Sequence, residues 1–344
     1  TDLSKAVNAV HDAFYSDLKK TLHIFCLGTG NISLAGGGLR WATGNTADIS
    51  SRLVTFGAGG ATLDTNGNEV TLSGDLGNSG AGGLTKAGNG SLILEGLSTY
   101  TGPTRVKGGR LVVMNNFNLG DEAVGAGLTL DGGILAVTGT ASLDFLGTGV
   151  RPVTVTAAGG GFEVPEFMTL TVPGVISGSG ALTKSGSGTL VLSGANGTTF
   201  SGPVTIDDGA IVLAGGDLND QQGVGTGQIT FTGGTLTLSG HTGSTTPDFG
   251  VLSNALHVPE GETGTLNLMQ RGGMTGALTG AGTFNLNVNY VRGDVTANWS
   301  AFTGQINVNS TAGGTDDLRL ANFAPLNIPG ARLFLGDGVF VSQI

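Results

Sequence analysis

The residues able to do chemistry are few and scattered. His11, His23, His241 and His257 stand far apart, and none falls in an H-E-x-x-H or comparable ligand spacing. Cys26 is the single cysteine, so no intrachain disulfide can form, and without a partner histidine it reads as a small buried apolar residue. No G-x-S-x-G nucleophile elbow occurs. Asp207-Asp208 and Asp217-Leu218-Asn219-Asp220 offer carboxylates that could hold calcium loosely. The G-G-x-G-x-D nonapeptide of calcium-binding β-rolls is absent, so they read as solvated turn acids. Arg292-Gly293-Asp294 is a cell-adhesion tripeptide when a turn presents it. Apolar-alternating Phe284–Val291 and Ala297–Phe302 flank it, which suits a turn, and a plain β-turn is the competing reading. These residues predict no catalytic group, no metal site and no cofactor, and one candidate adhesion turn at Arg292, Gly293 and Asp294.

The elements that must carry these groups are set by glycine. The chain has 344 residues, 65 of them glycine, roughly a fifth against a usual share of about 7%. Charged residues make up only 12%, and the net charge is −10. A nucleic-acid backbone or an anionic membrane surface is thereby disfavoured as a partner, since both call for basic patches. No strict Gly-X-Y period runs through the glycines, which excludes collagen. At 39% apolar, with short Val/Ile/Leu runs throughout, the chain is not expected to be disordered. Glycine in helix interiors costs about 1 kcal/mol each relative to alanine, which disfavours a helical protein. No apolar run approaches the ~20 residues that span a bilayer. Thr1–Val10 carries Asp2 and Lys5 and does not read as a signal peptide, so an export signal and a membrane anchor are expected in other segments of a parent protein.

The chain repeats itself. Leu84-Thr85-Lys86-Ala87-Gly88-Asn89-Gly90-Ser91-Leu92-Ile93-Leu94 lies against Leu182-Thr183-Lys184-Ser185-Gly186-Ser187-Gly188-Thr189-Leu190-Val191-Leu192. Tyr100-Thr101-Gly102-Pro103 matches Phe200-Ser201-Gly202-Pro203, and Gly109-Arg110-Leu111 matches Gly209-Ala210-Ile211. Full copies fall near 76–137 and 176–238, with a degenerate copy near 276–308. Each unit is a short strand of alternating apolar residues, such as Leu190-Val191-Leu192, closed by a glycine turn. Such strands are too short to stand alone, but stacked coils hydrogen-bond one to the next and bury a continuous apolar column. This predicts an all-β fold, a right-handed parallel β-helix over residues 33–344. At about 20–25 residues per coil it would hold about 13–15 coils and run about 65 Å. Tyr100 and Phe200 are expected in the core, and Lys86 and Lys184 at turns with their amines in solvent.

At these residues the chain resembles the autotransporter-associated β-strand repeat, whose pattern reads G-x-L-T-K-x-G-x-G-x-L-x-L-x-G, then Y-x-G-x-T and G-x-L. Gly83 to Leu111 follows it, and Gly180–Leu213 is similar with Phe200 in the aromatic place. In the third copy Gly280 stands where the lysine would be and Gln305 where the proline would be. The resemblance implies a β-helical passenger region of a bacterial surface or secreted protein. Its role there would be structural or adhesive, toward a host or neighbouring cell surface or its glycans, and the family brings no catalytic residues. The alternatives are a glycan-acting β-helical enzyme, which would need carboxylates clustered in a groove, and a fragment with no function of its own.

Residues 1–32 have a different texture. Leu3, Val7, Val10, Phe14 and Leu18 follow helical spacing, and Leu22–Leu27 reads as a buried strand. Helix and strand are expected to cap the open end of the β-helix, whose first coil would otherwise present an unpaired edge. His11–Ile32 also resembles the linker and first strand of homoserine dehydrogenases, with Gly28-Thr29-Gly30 opening a dinucleotide turn. Ser33 takes the third glycine position and no crossover helix pattern follows, so nucleotide binding is not expected.

Overall fold

The computed structural model describes residues 21–24, 30–121, 126–142, 144–145, 149–194, 196, 199–214, 222–238, 251–269, 273–289, 295–310, 316–320 and 328–343. They form a parallel β-solenoid of about 11 turns, essentially without helix. The expected helical cap, Cys26, Gly28 and Thr29 lie outside the described residues. The strand expected after that helix is present as Thr21–Ile24, and it pairs in parallel with Gly38–Trp41.

Each coil contributes up to three short strands, one to each face of the rod. On the first face Ala61–Asp64, Leu84–Ala87, Thr104–Val106, Leu128–Leu130, Val153–Val155 and Ile176–Gly178 stack in an eight-stranded sheet that begins at Thr21–Ile24. The second face is a ten-stranded sheet from Glu69–Leu72 to Leu278–Gly280. The third carries a nine-stranded sheet from Ala141–Ser142 to Arg332–Leu335, and nearer the N-terminus a three-stranded sheet that starts at Ile32–Leu34.

Period-two alternation sends every second residue inward, and the inward residues stack by register. Leu39, Leu63, Lys86, Val106, Leu130 and Val155 make one such column. Leu135, Phe162, Lys184, Ile206 and Phe231 fall in another. Tyr100 and Phe200 are buried as expected, and Tyr100 packs its ring 5.3 Å from that of Phe56. The Tyr100 hydroxyl shares a 2.6 Å hydrogen bond with Thr104, and burial pushes it up to about 12.

Coil length varies more than the repeat suggests. Thr85 and Arg105 are partners 20 residues apart, Thr129 and Thr154 are 25 apart, and Thr235 and Thr265 are 30 apart. The longer arcs absorb residues without adding rungs. The rod is therefore shorter than the expected 13–15 coils, about 50 Å at the spacing of stacked strands.

Unequal coils also rotate the repeat. Leu84–Ala87 lies on the first face, while its counterpart Leu182–Ser185, 98 residues on, lies on the second. Ser91–Leu94 is on the second face and its counterpart Thr189–Leu192 on the third. The two copies are thus one face out of phase around the same axis.

Glycine makes the corners of these coils. Gly202 sits on the Gly180 carbonyl and Gly227 on the Gly202 carbonyl, so that a Cβ at either would lie 2.0 or 1.9 Å from that oxygen. The glycine excess is therefore largely a packing requirement between coils, beyond the turn conformations that sequence patterns reveal.

Candidate functional site

Lys86 and Lys184 depart from expectation. Neither amine is in solvent, and both side chains are fully buried. The alternation Leu84 in, Thr85 out, Lys86 in places the stem within the apolar column. The ammonium then reaches the corner that follows, where glycines expose their carbonyls. Lys86 Nζ donates to Ala87 O at 2.9 Å, Gly88 O at 2.7 Å and, one coil on, Gly108 O at 3.0 Å. Lys184 Nζ repeats the pattern with Ser185 O at 3.0 Å, Gly186 O at 2.5 Å and Asp208 O at 3.1 Å. Three N–H groups meet three acceptors, which satisfies the cation without a carboxylate partner. Burial pushes each amine down to about 8, opposed by the charge of Asp64 at Lys86 and of Asp208, Asp207 and Glu163 at Lys184. Each cage ties a corner to the next coil, so these lysines act in the architecture.

The acidic residues that the sequence singles out behave as turn acids where they are described. Asp207 accepts from Thr232 Oγ1 at 3.1 Å, and Asp208 accepts from the Gly209 N–H at 2.7 Å. Asp217 and Asp220 lie outside the described residues. His257 shares a 2.9 Å hydrogen bond through Nδ1 with Thr279 Oγ1 on the neighbouring coil. Among the described residues no three His, Cys, Asp or Glu side chains are grouped to hold a metal ion. His11, His241 and the Arg292-Gly293-Asp294 triplet lie outside the described residues.

One aspartate that sequence reasoning passed over clamps two coils. Asp48 Oδ1 accepts from the Ser50 N–H at 2.7 Å and its hydroxyl at 2.6 Å, and Oδ2 accepts from the Ser73 N–H at 3.1 Å and its hydroxyl at 2.6 Å. Burial pushes this carboxyl up, but the four hydrogen bonds outweigh it and hold it below 3.8. A depressed folded value favours the folded state at pH above the ordinary carboxylate range. That contribution is lost as pH falls through the folded value. Asp48→Asn is expected to cost about 1–2 kcal/mol near neutral pH, because an amide oxygen replaces only one of the two acceptors. Denaturant midpoints of the two proteins should converge in acid; a constant gap would show that the carboxylate charge contributes nothing.

A shallow cleft of about 370 Å³ opens at the edge of the first face. Gly59, Gly60, Gly82 and Gly83 floor it, with Thr85, Arg105 and Thr129 beside them. No carboxylate lines it. Arg105 is half-exposed and held by Asp131, through Nη2 at 2.7 Å and Nε at 3.1 Å. Asp131 in turn accepts from Thr156 Oγ1 at 2.5 Å, and the Thr156 and Arg105 contacts keep its carboxyl below the usual range. A neutralised arginine over a backbone floor can hold a small polar group, but it offers no acid–base pair for hydrolysis.

An extended ordered polar feature lies on the third face. Outward positions of Thr263–Met269, Thr283–Asn289 and Gln305–Ser310 fall in register as asparagine and threonine ladders. Asn287 Nδ2 donates to Asn267 Oδ1 at 2.8 Å, and Asn309 Nδ2 to Asn287 Oδ1 at 3.0 Å. Alongside, Asn307 Nδ2 donates to Asn285 Oδ1 at 2.8 Å, and Asn267 Nδ2 extends the first ladder to Thr237 Oγ1 at 3.0 Å. The period-two texture of T-G-T-L-N-L and T-F-N-L-N-V shows which residues face out, whereas the cross-coil register is legible only in the structure.

A stack of short parallel strands, lysine-caged corners and a long polar face define a repeat-built parallel β-solenoid. Comparison with known proteins finds likenesses to autotransporter passengers in parts of the chain. Residues 84–113 and 182–213 match the passenger-associated-transport-repeat family model. The Adhesin BmaC autotransporter of Brucella suis biovar 1 (strain 1330) is 34% identical over 125 residues, which cover 36% of this chain and 3% of that protein. The chain thus spans only a small part of the length of the curated relative it matches. No solved structure matches the chain.

Proposed function

We propose that this chain is a passenger segment of an autotransporter-like adhesin, held outside the cell as a rigid rod that contacts other surfaces through its faces and corner loops. The observation that carries the reading is the pair of passenger-associated-transport repeats, 84–113 and 182–213, built into one continuous parallel solenoid. The likeness to an autotransporter adhesin supports the same reading. Its mechanism is display. Backbone hydrogen bonds from coil to coil stiffen the rod, and contact is made by many weak interactions spread along it. Among the described residues, the lining of the cleft holds no carboxylate of the kind a glycan-cleaving role would use.

The Arg292-Gly293-Asp294 triplet is proposed as one contact point within this role. The test uses cells that express the parent protein. Antibody against residues 33–344 should label intact cells, and deletion of the segment should lower adhesion. Labelling only after the cells are permeabilised would overturn the surface assignment. Asp294→Ala with adhesion to integrin-bearing cells unchanged would remove the triplet from the mechanism and leave the display role standing.

A further inference from the structure

We infer that the third face of the rod is a binding surface for an uncharged, hydroxyl-rich polysaccharide, a partner class that deepens the passenger reading above and rests on it. Two outward columns run along this face. One passes through Thr189, Ala210, Thr235, Thr265, Asn285, Asn307 and Phe334, the other through Val191, Val212, Thr237, Asn267, Asn287 and Asn309. None of these residues is charged, on a protein whose net charge is −10. The columns are therefore a neutral strip. On the outward column beside them Arg332 pairs with Gln305 and stands two residues from Phe334, a cation at that end. Along the asparagine rows themselves an anionic glycan or a nucleic acid would find no cation, and a lipid surface would find too little apolar area.

The strip has donors and acceptors to spare. Each ladder amide gives one N–H to the amide or hydroxyl one coil away, and keeps its second N–H and a carbonyl lone pair for an outside partner. The ladder fixes every amide at the spacing of stacked strands, about 4.8 Å, roughly the length of a sugar ring. A ligand therefore meets groups already ordered, which lowers the entropy lost on binding. Phe334 completes the strip. The register places it outward beside Asn307, and it is 51% exposed. An aromatic ring at the end of a row of amides offers its face to the C–H side of a sugar while the amides take the hydroxyls. This pairing of chemistry is redundant for a ladder whose only task is stability.

Affinity electrophoresis of the purified chain through gels cast with soluble uncharged glucans or mannans, with polygalacturonate as the charged comparison, tests the inference. Retardation is expected in an uncharged gel and not in the charged one. Phe334→Ala and Asn307→Ala should each weaken it by about tenfold, while Arg105→Ala, on another face, should leave it unchanged. Phe334 makes no hydrogen bond through its side chain, so that variant carries the test if Asn307→Ala is unstable. No retardation by any uncharged polysaccharide, or retardation equal in Phe334→Ala and the parent, would overturn the proposal. So would a sedimentation shift showing that the substitutions instead break a self-association through this face. Antibody labelling of intact cells in the face of a failed gel assay would reject the ligand class and spare the surface role.

Discussion

Replacing Gly180 with alanine is expected to destabilise the middle of the rod by roughly 3 kcal/mol or more, an overpacking cost at the upper end of its range. The reason is distance. A Cβ built there lies 1.7 Å from the Thr156 carbonyl oxygen of the preceding coil. The contact is backbone to backbone, so no side chain can rotate away. Relief requires the corner to lift by more than an ångström. That movement strains the neighbouring inter-coil hydrogen bonds, among them Leu182 N–H to Pro203 O at 2.9 Å and Gly160 N–H to Ala181 O at 2.9 Å. Gly44 supplies the comparison. It has a φ of +79° and nothing within 4 Å of a new Cβ, so Gly44→Ala should cost only the backbone term, about 1 kcal/mol. Urea unfolding of both variants measures the difference. Equal midpoints would mean that the coils yield at the corner, and the steric account would fail.

The second large effect is expected at the caged lysines. Lys184→Met keeps the stem volume in the apolar column but leaves three carbonyl oxygens without their donor. Removing one side of a buried, charge-assisted arrangement costs roughly 3–5 kcal/mol. Water at the corner can recover part of this, so roughly 3 kcal/mol is expected for Lys184 and the same for Lys86. The pH dependence provides a second readout. Burial depresses each amine from 10.5 to about 8 in the folded chain. Below about 8 both folded and unfolded states carry the proton, and pH has no leverage through this group. Between about 8 and 10.5 the unfolded chain binds more protons than the folded one, so stability rises with pH across that window. The parent protein should gain on the methionine variants there in matched denaturation series. A loss across the same window would show that the three carbonyls hold the proton more strongly than burial expels it.

These two sites also show how far the sequence could be read. The alternation in Leu190-Val191-Leu192 and the recurrence of Leu-Thr-Lys were enough for parallel stacking, because a period of two leaves one apolar face per strand and a short strand needs neighbours. The same alternation also placed Lys86 inward. Hydropathy argues against burying a cation, and only the folded corner reveals the three carbonyls that make it tolerable. Gly180 was legible as a turn residue but not as a contact, since the Thr156 carbonyl comes from a coil 24 residues away. The asparagine ladder was hidden for a similar reason. Asn267, Asn287 and Asn309 are unremarkable alone and become a surface only when coil length sets their register. Arg292, Gly293 and Asp294 were singled out by their letters alone and lie outside the described residues.

The offset between the two repeat copies bears on how such a rod behaves in a crowd. If a duplicated segment came back on the same side, two rods lying next to each other would find matching stripes at every repeat, and each matched contact would favour the next. Leu84–Ala87 and Leu182–Ser185 instead look out in different directions. A neighbour that docks against one copy is turned away from the other, and pairing has no reason to propagate. Duplication can then lengthen the rod and carry the same module around its circumference without building a sticky seam.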